Sequence, residues 1–156
     1  MDFNQAFAAL MKFEGGYSNN PKDPGGETKY GISKREFPEE DIANLTEQRA
    51  KEIYKKYYWD KVKGDMLPTQ LRYSVFDAAV NSGVVQAIKW LQASVGVPED
   101  GILGTETTKA IKARNAYQTA AIFSGYRLRF ITKITVFDTF GKGLCRRVSE
   151  ILIRYT

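Results

Sequence analysis

Residues 14–33 read EGGYSNNPKDPGGETKYGIS and interrupt a chain that is otherwise helical in pattern. Between residues 18 and 26 the chain is dense in Ser, Asn, Asp, Pro and Gly, which favour turns and exclude a helix. Residues 30–33 predict a short strand or a turn. A loop of this length inside a small domain usually has a function. We therefore expect the functional residues in this loop.

Helical patterns flank this loop on both sides. Residues 2–13 carry Asp2 as a candidate N-cap and apolar side chains at helical spacing, which predicts a helix with Glu14 at its C-terminus, broken by the Gly pair that follows. Further helices are predicted to open at Thr46, Pro68 and Thr105, and to span residues 84–95, 116–135 and 142–154. The β-branched residues within 131–137 leave the end of the helix over 116–135 open.

The sequence shows no internal repeat, and its only soft boundary lies near residues 97–104. We predict a catalytic region over residues 1–96 and a helical rear region over residues 97–156 that form one compact unit. The expected fold class is mainly α, with one long irregular loop and a possible short β-hairpin.

The composition limits which chemistry is possible. The chain of 156 residues has no histidine and a single cysteine, Cys145. The Ser-His-Asp and Cys-His catalytic arrangements, nearly all zinc sites and an intrachain disulfide are therefore excluded. The groups left for acid–base catalysis are carboxylates, Lys, Tyr and the thiol. We expect no cofactor or metal. The net charge of +5 favours a polyanionic partner: nucleic acid, an anionic membrane surface or a cell-wall polymer.

Three residues of the loop could hydrolyse a glycoside. The dipole of the predicted helix would raise the pKa of Glu14, as a general acid requires, and the Gly pair would let a bulky polymer approach. Asp23 and Thr28 follow on the loop, and an ionised Asp can stabilise a cationic transition state or orient water. The alternatives are a solvated helix end for Glu14 and an Asx turn for Asp23.

The loop resembles the signature of glycoside hydrolase family 108, a family of lysozyme-like N-acetylmuramidases that includes phage and prophage endolysins and proteins labelled secretion activators. The resemblance rests on the runs EGGY at residues 14–17, NPKDPGG at 20–26 and TKYGIS at 28–33. It implies a lysozyme-like fold and Glu14 as the catalytic acid. By looser analogy with phage lysozymes, Asp23 and Thr28 line the cleft.

Other stretches extend the resemblance. Residues 76–83, FDAAVNSG, look like the family's helix opposite the catalytic loop, where Asn81 binds a sugar or a water, or caps the helix end. Residues 90–107 resemble a peptidoglycan-binding region, although an Asp-Gly turn and a capped helix also explain that pattern. The chain departs from the family at residues 143–148, GLCRRV, where a Trp is expected in place of Leu144.

Aromatic residues in the cleft would stack on sugar rings. We expect Tyr17 and Tyr30, which lie in the signature loop, to bind substrate. Tyr54, Tyr57, Tyr58 and Trp59 cluster on one predicted helix and could also stack on sugars, but Tyr54 and Tyr57 fall on its apolar face, which favours the core.

The leading hypothesis is a muramidase that hydrolyses the β-1,4 bond between N-acetylmuramic acid and N-acetylglucosamine in peptidoglycan. The alternative is a non-catalytic peptidoglycan-binding or secretion-associated module; nucleic-acid binding, suggested only by charge, ranks last. No signal peptide or membrane span is evident, so we expect synthesis in the cytoplasm, no stable membrane insertion, and action on the periplasmic wall after release. The resemblance implies a holin for export, and we expect a monomer.

Overall fold

Helices dominate the computed structural model, which describes residues 1–13 and 26–156. These helices are α1 (Phe3–Met11), α2 (Glu47–Tyr54), α3 (Thr69–Ser82), α4 (Val84–Val95), α5 (Thr105–Ala113), α6 (Ala116–Ile131) and α7 (Lys142–Tyr155). Two short strands, β1 (Thr28–Lys29) and β2 (Ile32–Ser33), pair antiparallel. The predicted fold class, mainly α with a short hairpin, is confirmed. None of these helices is both long enough and apolar enough to cross a membrane.

Helix α1 begins as predicted but ends early. Asp2 accepts a hydrogen bond from the Gln5 backbone at 2.9 Å, and the Gln5 side chain accepts one from the Asp2 backbone at 3.0 Å. This reciprocal capping box fixes the first turn. The α-helix stops at Met11, two residues before the predicted end at residue 13. Glu14 itself lies outside the described residues.

The hairpin turns at Tyr30 and Gly31, which both have positive φ, 52° and 75°. Two consecutive residues in this conformation make the tight turn whose twist suits a two-residue hairpin loop. The register pairs Thr28 with Ser33, and the Ile32 side chain is buried. Residues 30–33 therefore contain both of the predicted structures: a turn at residues 30–31 and a strand at residues 32–33.

The aromatic run after α2 does not follow one helical face. Tyr54, Tyr58 and Trp59 are buried, whereas Tyr57 is 42% exposed. The reason is a π-helical turn over Lys55–Trp59, closed by a hydrogen bond from the Asp60 N–H to the Lys55 carbonyl at 2.9 Å. A π turn holds more residues than an α turn, which shifts the side chains that follow to new faces. The prediction of a core position is right for Tyr54 and wrong for Tyr57.

Helix α3 lies at the centre of the molecule and contacts α1, α4, α6 and α7. Most of its side chains are buried, including the carboxylate of Asp77. Asp77 Oδ2 accepts a hydrogen bond from Arg127 Nη2 on α6 at 2.8 Å, and Asp77 Oδ1 accepts one from Arg147 Nε on α7 at 2.9 Å. One carboxylate therefore ties two further helices to α3. A single hydrophobic core extends from Phe3 to Ile151.

Other predicted helix ends fall within a residue or two of the structure, with one exception, the end of α6. The helix over 84–95 is confirmed, and Gly96 ends it in the left-handed conformation. Thr46 caps α2 by accepting a hydrogen bond from the Arg49 N–H at 3.1 Å. Gly104, not Thr105, occupies the N-cap of α5. The helix predicted over 116–135 ends at Ile131, where the β-branched stretch begins.

The Asp-Gly stretch between α4 and α5 is held by one buried glutamine. Gln92 Nε2 lies 2.6 Å from Asp100 Oδ1, 3.1 Å from the Ile102 carbonyl and 3.1 Å from Thr107 Oγ1. The Gln92 Oε1 atom accepts from the Gly101 N–H at 2.9 Å. Because these polar groups hydrogen-bond to one another, the sequence pattern at residues 90–107 is better explained by a structural role than by binding to the cell wall.

The shared carboxylate gives the first prediction. Asp77→Asn leaves two guanidinium groups beside a neutral amide, and removing one partner of a buried pair costs about 3–5 kcal/mol. We expect a loss of that size in the free energy of unfolding, measured by urea denaturation. Asp138→Asn, the same change at an exposed position, is the control and should stay within about 0.5 kcal/mol of wild type. Equal, small losses in both variants would contradict the prediction.

The glutamine network gives the second prediction. Gln92→Ala leaves the Gly101 N–H and the Thr107 hydroxyl without this partner, so we expect a loss of about 3 kcal/mol, from several hydrogen bonds of roughly 1 kcal/mol each. Thermal denaturation followed by circular dichroism measures it. Gln86→Ala on the same helix removes the same side chain from a half-buried position and should change stability little.

Candidate active site

The predicted site residues divide into two groups. Glu14, Tyr17 and Asp23 lie outside the described residues. Thr28, Tyr30 and Asn81 lie within them. The structure therefore defines the elements that precede and follow residues 14–25, and the surfaces around them.

The chain that leads into Glu14 is anchored in the core by α1. Phe7 and Leu10 are buried, and the Phe7 ring lies 5.8 Å from the ring of Tyr54. Phe13, the residue before Glu14, is 37% exposed, and the Arg147 guanidinium lies 4.9 Å above its ring. A cation over an aromatic face is attractive, so α7 holds the end of this segment.

The chain that follows Asp23 is held by the same tyrosine. The Tyr54 hydroxyl donates a hydrogen bond to the Tyr30 carbonyl at 2.9 Å. Thr28 is half-buried, and its hydroxyl lies 3.4 Å from the carbonyl of Gly26, an acceptor on its own loop. Tyr54 thus contacts both α1 and the hairpin. The elements on either side of residues 14–25 are held against each other through one side chain.

Asn81 lies at the end of α3 and is exposed. Its Nδ2 atom donates a hydrogen bond to the Asp77 carbonyl one turn earlier, at 2.8 Å. It does not cap the helix at Gly83, whose N–H bonds to the Ala79 carbonyl at 3.0 Å. With Nδ2 engaged, Oδ1 is the atom that can accept a hydrogen bond from a ligand. Asn81 lines a small cavity, and Gly83 lines a larger groove.

That groove has a volume of about 500 Å³ and lies between the segment after β2, the π-helical turn and the start of α4. Phe37 and Tyr57 meet edge to face in it, with ring centroids 5.3 Å apart. The Phe37 N–H donates to the Ser33 carbonyl at 3.0 Å, so this wall of the groove continues the hairpin. An open groove with partly exposed aromatic rings suits a flat, polar polymer such as a glycan.

Carboxylates also line the groove. Glu36 accepts a hydrogen bond from the hydroxyl of Tyr58, and burial, together with this bond, raises the pKa of Tyr58, which stays neutral. Glu40 binds Arg49 at 2.6 Å, and this hydrogen bond holds the pKa of Glu40 below its ordinary value. Glu40 is therefore ionised at neutral pH and unsuited to act as a general acid. Across the described residues no group of His, Cys, Asp and Glu side chains could hold a metal ion.

Sequence reasoning missed several residues around the site. Asp77 gave a signal, since an Asp inside an otherwise apolar helix requires a buried partner. Its partners, Arg127 and Arg147, lie 50 and 70 residues further along the chain, so local sequence does not identify them. Tyr57 gave a signal as one of a cluster of aromatic residues, but its helical position favoured the core. Glu36 gave no usable signal, because its place in the groove depends on packing between distant segments.

Comparison with known proteins agrees with the motif in the loop. A family model for glycosyl hydrolase 108 matches residues 7–83, which include the predicted loop and the end of α3. The chain is similar to a solved structure of Brucella abortus SagA, with 36% sequence identity and a TM-score of 0.88, over 98% of this chain and 92% of that chain. No curated protein matches the chain. The resemblance noted in the sequence is confirmed: this chain belongs to the glycosyl hydrolase 108 family and is a glycoside hydrolase.

Proposed function

We propose that this protein is a muramidase that hydrolyses the β-1,4 bond between N-acetylmuramic acid and N-acetylglucosamine in peptidoglycan. The observation that carries the proposal is the match to a glycoside hydrolase family across residues 7–83, which contain the loop with Glu14, Asp23 and Thr28. The exclusion of histidine chemistry by composition supports a reaction that depends on carboxylates.

In this proposal Glu14 protonates the glycosidic oxygen while an oxocarbenium-like state develops on the sugar. Asp23, or another carboxylate, stabilises that cation or orients the attacking water. Thr28 lies on β1, half-buried at the edge of the loop, where its hydroxyl can bind the water or a sugar hydroxyl. The contacts of Tyr54 with Phe7 and with the Tyr30 carbonyl support this arrangement, because they hold α1 against the hairpin.

The glycan strand is proposed to run along the groove beside the hairpin. Tyr57 and Phe37 line it and offer aromatic surface to a sugar ring. Tyr17 and Tyr30 are proposed as further sugar contacts on the loop; Tyr30 does not line this groove, and Tyr17 lies outside the described residues. The groove also leads to Gly83 at the end of α3, close along the helix to Asn81. The proposed setting is the periplasmic wall, reached through a holin-like pore, with the enzyme acting as a monomer.

Replacement of the proposed acid is the main test. Glu14→Gln cannot donate a proton, and loss of general-acid catalysis costs about 10²–10⁴-fold in rate. We expect wild type to clear a suspension of Gram-negative cells with permeabilised outer membranes and Glu14→Gln to fail. Mass spectrometry of the wild-type products should show reducing-end N-acetylmuramic acid.

The matched control is Glu106→Gln, the same change at an exposed position in the first turn of α5, which should retain wild-type activity. Full activity of Glu14→Gln with a native circular dichroism spectrum would refute the assignment. Binding to sacculi by wild type without release of reducing ends would favour the wall-binding module instead.

The groove gives a separate prediction. Tyr57→Ala removes an aromatic surface, and an aromatic contact is worth about 0.5–1.5 kcal/mol, so we expect roughly three- to tenfold weaker binding to sacculi. Because Tyr57 is 42% exposed, the melting temperature should fall little. A sedimentation assay with purified sacculi measures the binding. Tyr117→Ala, at a 60% exposed position on α6, is the control and should bind like wild type.

A further inference from the structure

A second, smaller cavity lies at the end of α3, beside α6 and the segment that leads into α7. Its volume is about 180 Å³. Six apolar side chains form its walls: Trp90, Phe130, Ile131, Ile134, Val136 and Leu144. Sites for drug-sized ligands usually span about 300–1,000 Å³, so this cavity suits a group no larger than one amino-acid residue.

One cation lines this cavity and no acidic residue does. Arg127 is only 3% exposed, and its Nη2 atom binds Asp77 at 2.8 Å. Its Nη1 atom is buried without a hydrogen-bond partner among the described residues. An unpaired buried charged donor costs more than about 1–3 kcal/mol, and here it belongs to a side chain that lines an open cavity. The acceptor that fits a guanidinium best is a carboxylate or another oxyanion.

The mouth of the cavity is polar and lies beside the chain that leads to Glu14. Asn81 and Ser82 line it, and Asn81 Oδ1 can accept a hydrogen bond from a peptide N–H. Val136 and Leu144 also line the adjoining groove that contains Phe13, the residue before Glu14. A group in this cavity would therefore belong to a molecule that passes close to Phe13.

We propose that this cavity binds the carboxylate of a small aliphatic amino-acid residue carried by the peptide stems of peptidoglycan. The Arg127 Nη1 atom donates to the carboxylate, the apolar walls receive a methyl-sized side chain, and Asn81 accepts from the peptide N–H. The inference rests on the proposed function, because it assigns a substrate feature to the same enzyme. It makes the enzyme selective for wall that carries peptide over bare glycan.

Direct titration tests the proposal without any hydrolysis. The chain contains two Trp residues, Trp59 and Trp90, and Trp90 lines the cavity whereas Trp59 does not. We expect N-acetyl-D-alanine to shift the ¹⁵N-indole NMR signal of Trp90 in a saturable way and to leave that of Trp59 unchanged. The methyl ester of the same probe has no carboxylate and should not bind. Acetate should bind more weakly, because it lacks the amide and the methyl-bearing carbon.

A matched pair of variants tests the electrostatics and leaves the Asp77 pair intact. Val136 is 49% exposed and lines the cavity. Val136→Asp places a negative charge there and should weaken binding of the probe by about tenfold or more, because like charges repel. Val136→Asn has nearly the same shape without the charge and should stay within about threefold of wild type.

Three results would overturn the inference. The first is the absence of a saturable shift of the Trp90 signal. The second is an equal loss of probe affinity in Val136→Asp and Val136→Asn. The third is an affinity for acetate or the methyl ester that equals the affinity for N-acetyl-D-alanine. If any of these results is found for a protein that still clears cells through Glu14, the carboxylate site is refuted and the proposed hydrolysis is not. If wild type binds the probe as expected but has no activity, the proposed hydrolysis is refuted and the carboxylate site is not.

Discussion

The carboxylate of Asp77, shared between two guanidinium groups, is the interaction on which the rest of the structure depends. It lies fully buried on the central helix α3 and holds Arg127 of α6 and Arg147 of α7. A buried ion pair seldom adds net stability over apolar packing, but it requires its partners to meet in one geometry. This one specifies how the rear helices dock on the helix that carries Asn81.

The same interaction connects the core to the site. Arg147, held by Asp77, lies over the ring of Phe13, the last described residue before the loop with Glu14. Arg127, held by the other oxygen, lines the small cavity at the end of α3. One turn beyond Asp77, Asn81 bonds back to the Asp77 carbonyl. Asp77 is thus in direct contact with Arg147, Arg127 and Asn81, which lie beside Phe13 and the small cavity.

A second organising element is Tyr54, at the point where α2 gives way to the π-helical turn. Its ring packs on α1 and its hydroxyl binds the hairpin, so it joins the two elements that flank the loop. The turn that follows it buries Trp59 and Tyr58 and leaves Tyr57 in the groove. An irregular turn of this kind is costly in regular packing and is frequent at functional sites.

The sequence by itself determined the fold class, the family, the start of α1 and the bounds of α4, because these depend on capping and periodicity among neighbours in the chain. For residues 30–33 it left a strand and a turn open, and the structure put the turn at Tyr30 and Gly31. Only the tertiary structure decided that Tyr57 faces a groove, that Gln92 binds the connection between α4 and α5, and that Arg127 and Arg147 are buried partners of Asp77. Those outcomes join residues far apart in sequence. The partner of a buried charge depends on which helices pack together, and local sequence patterns do not predict that.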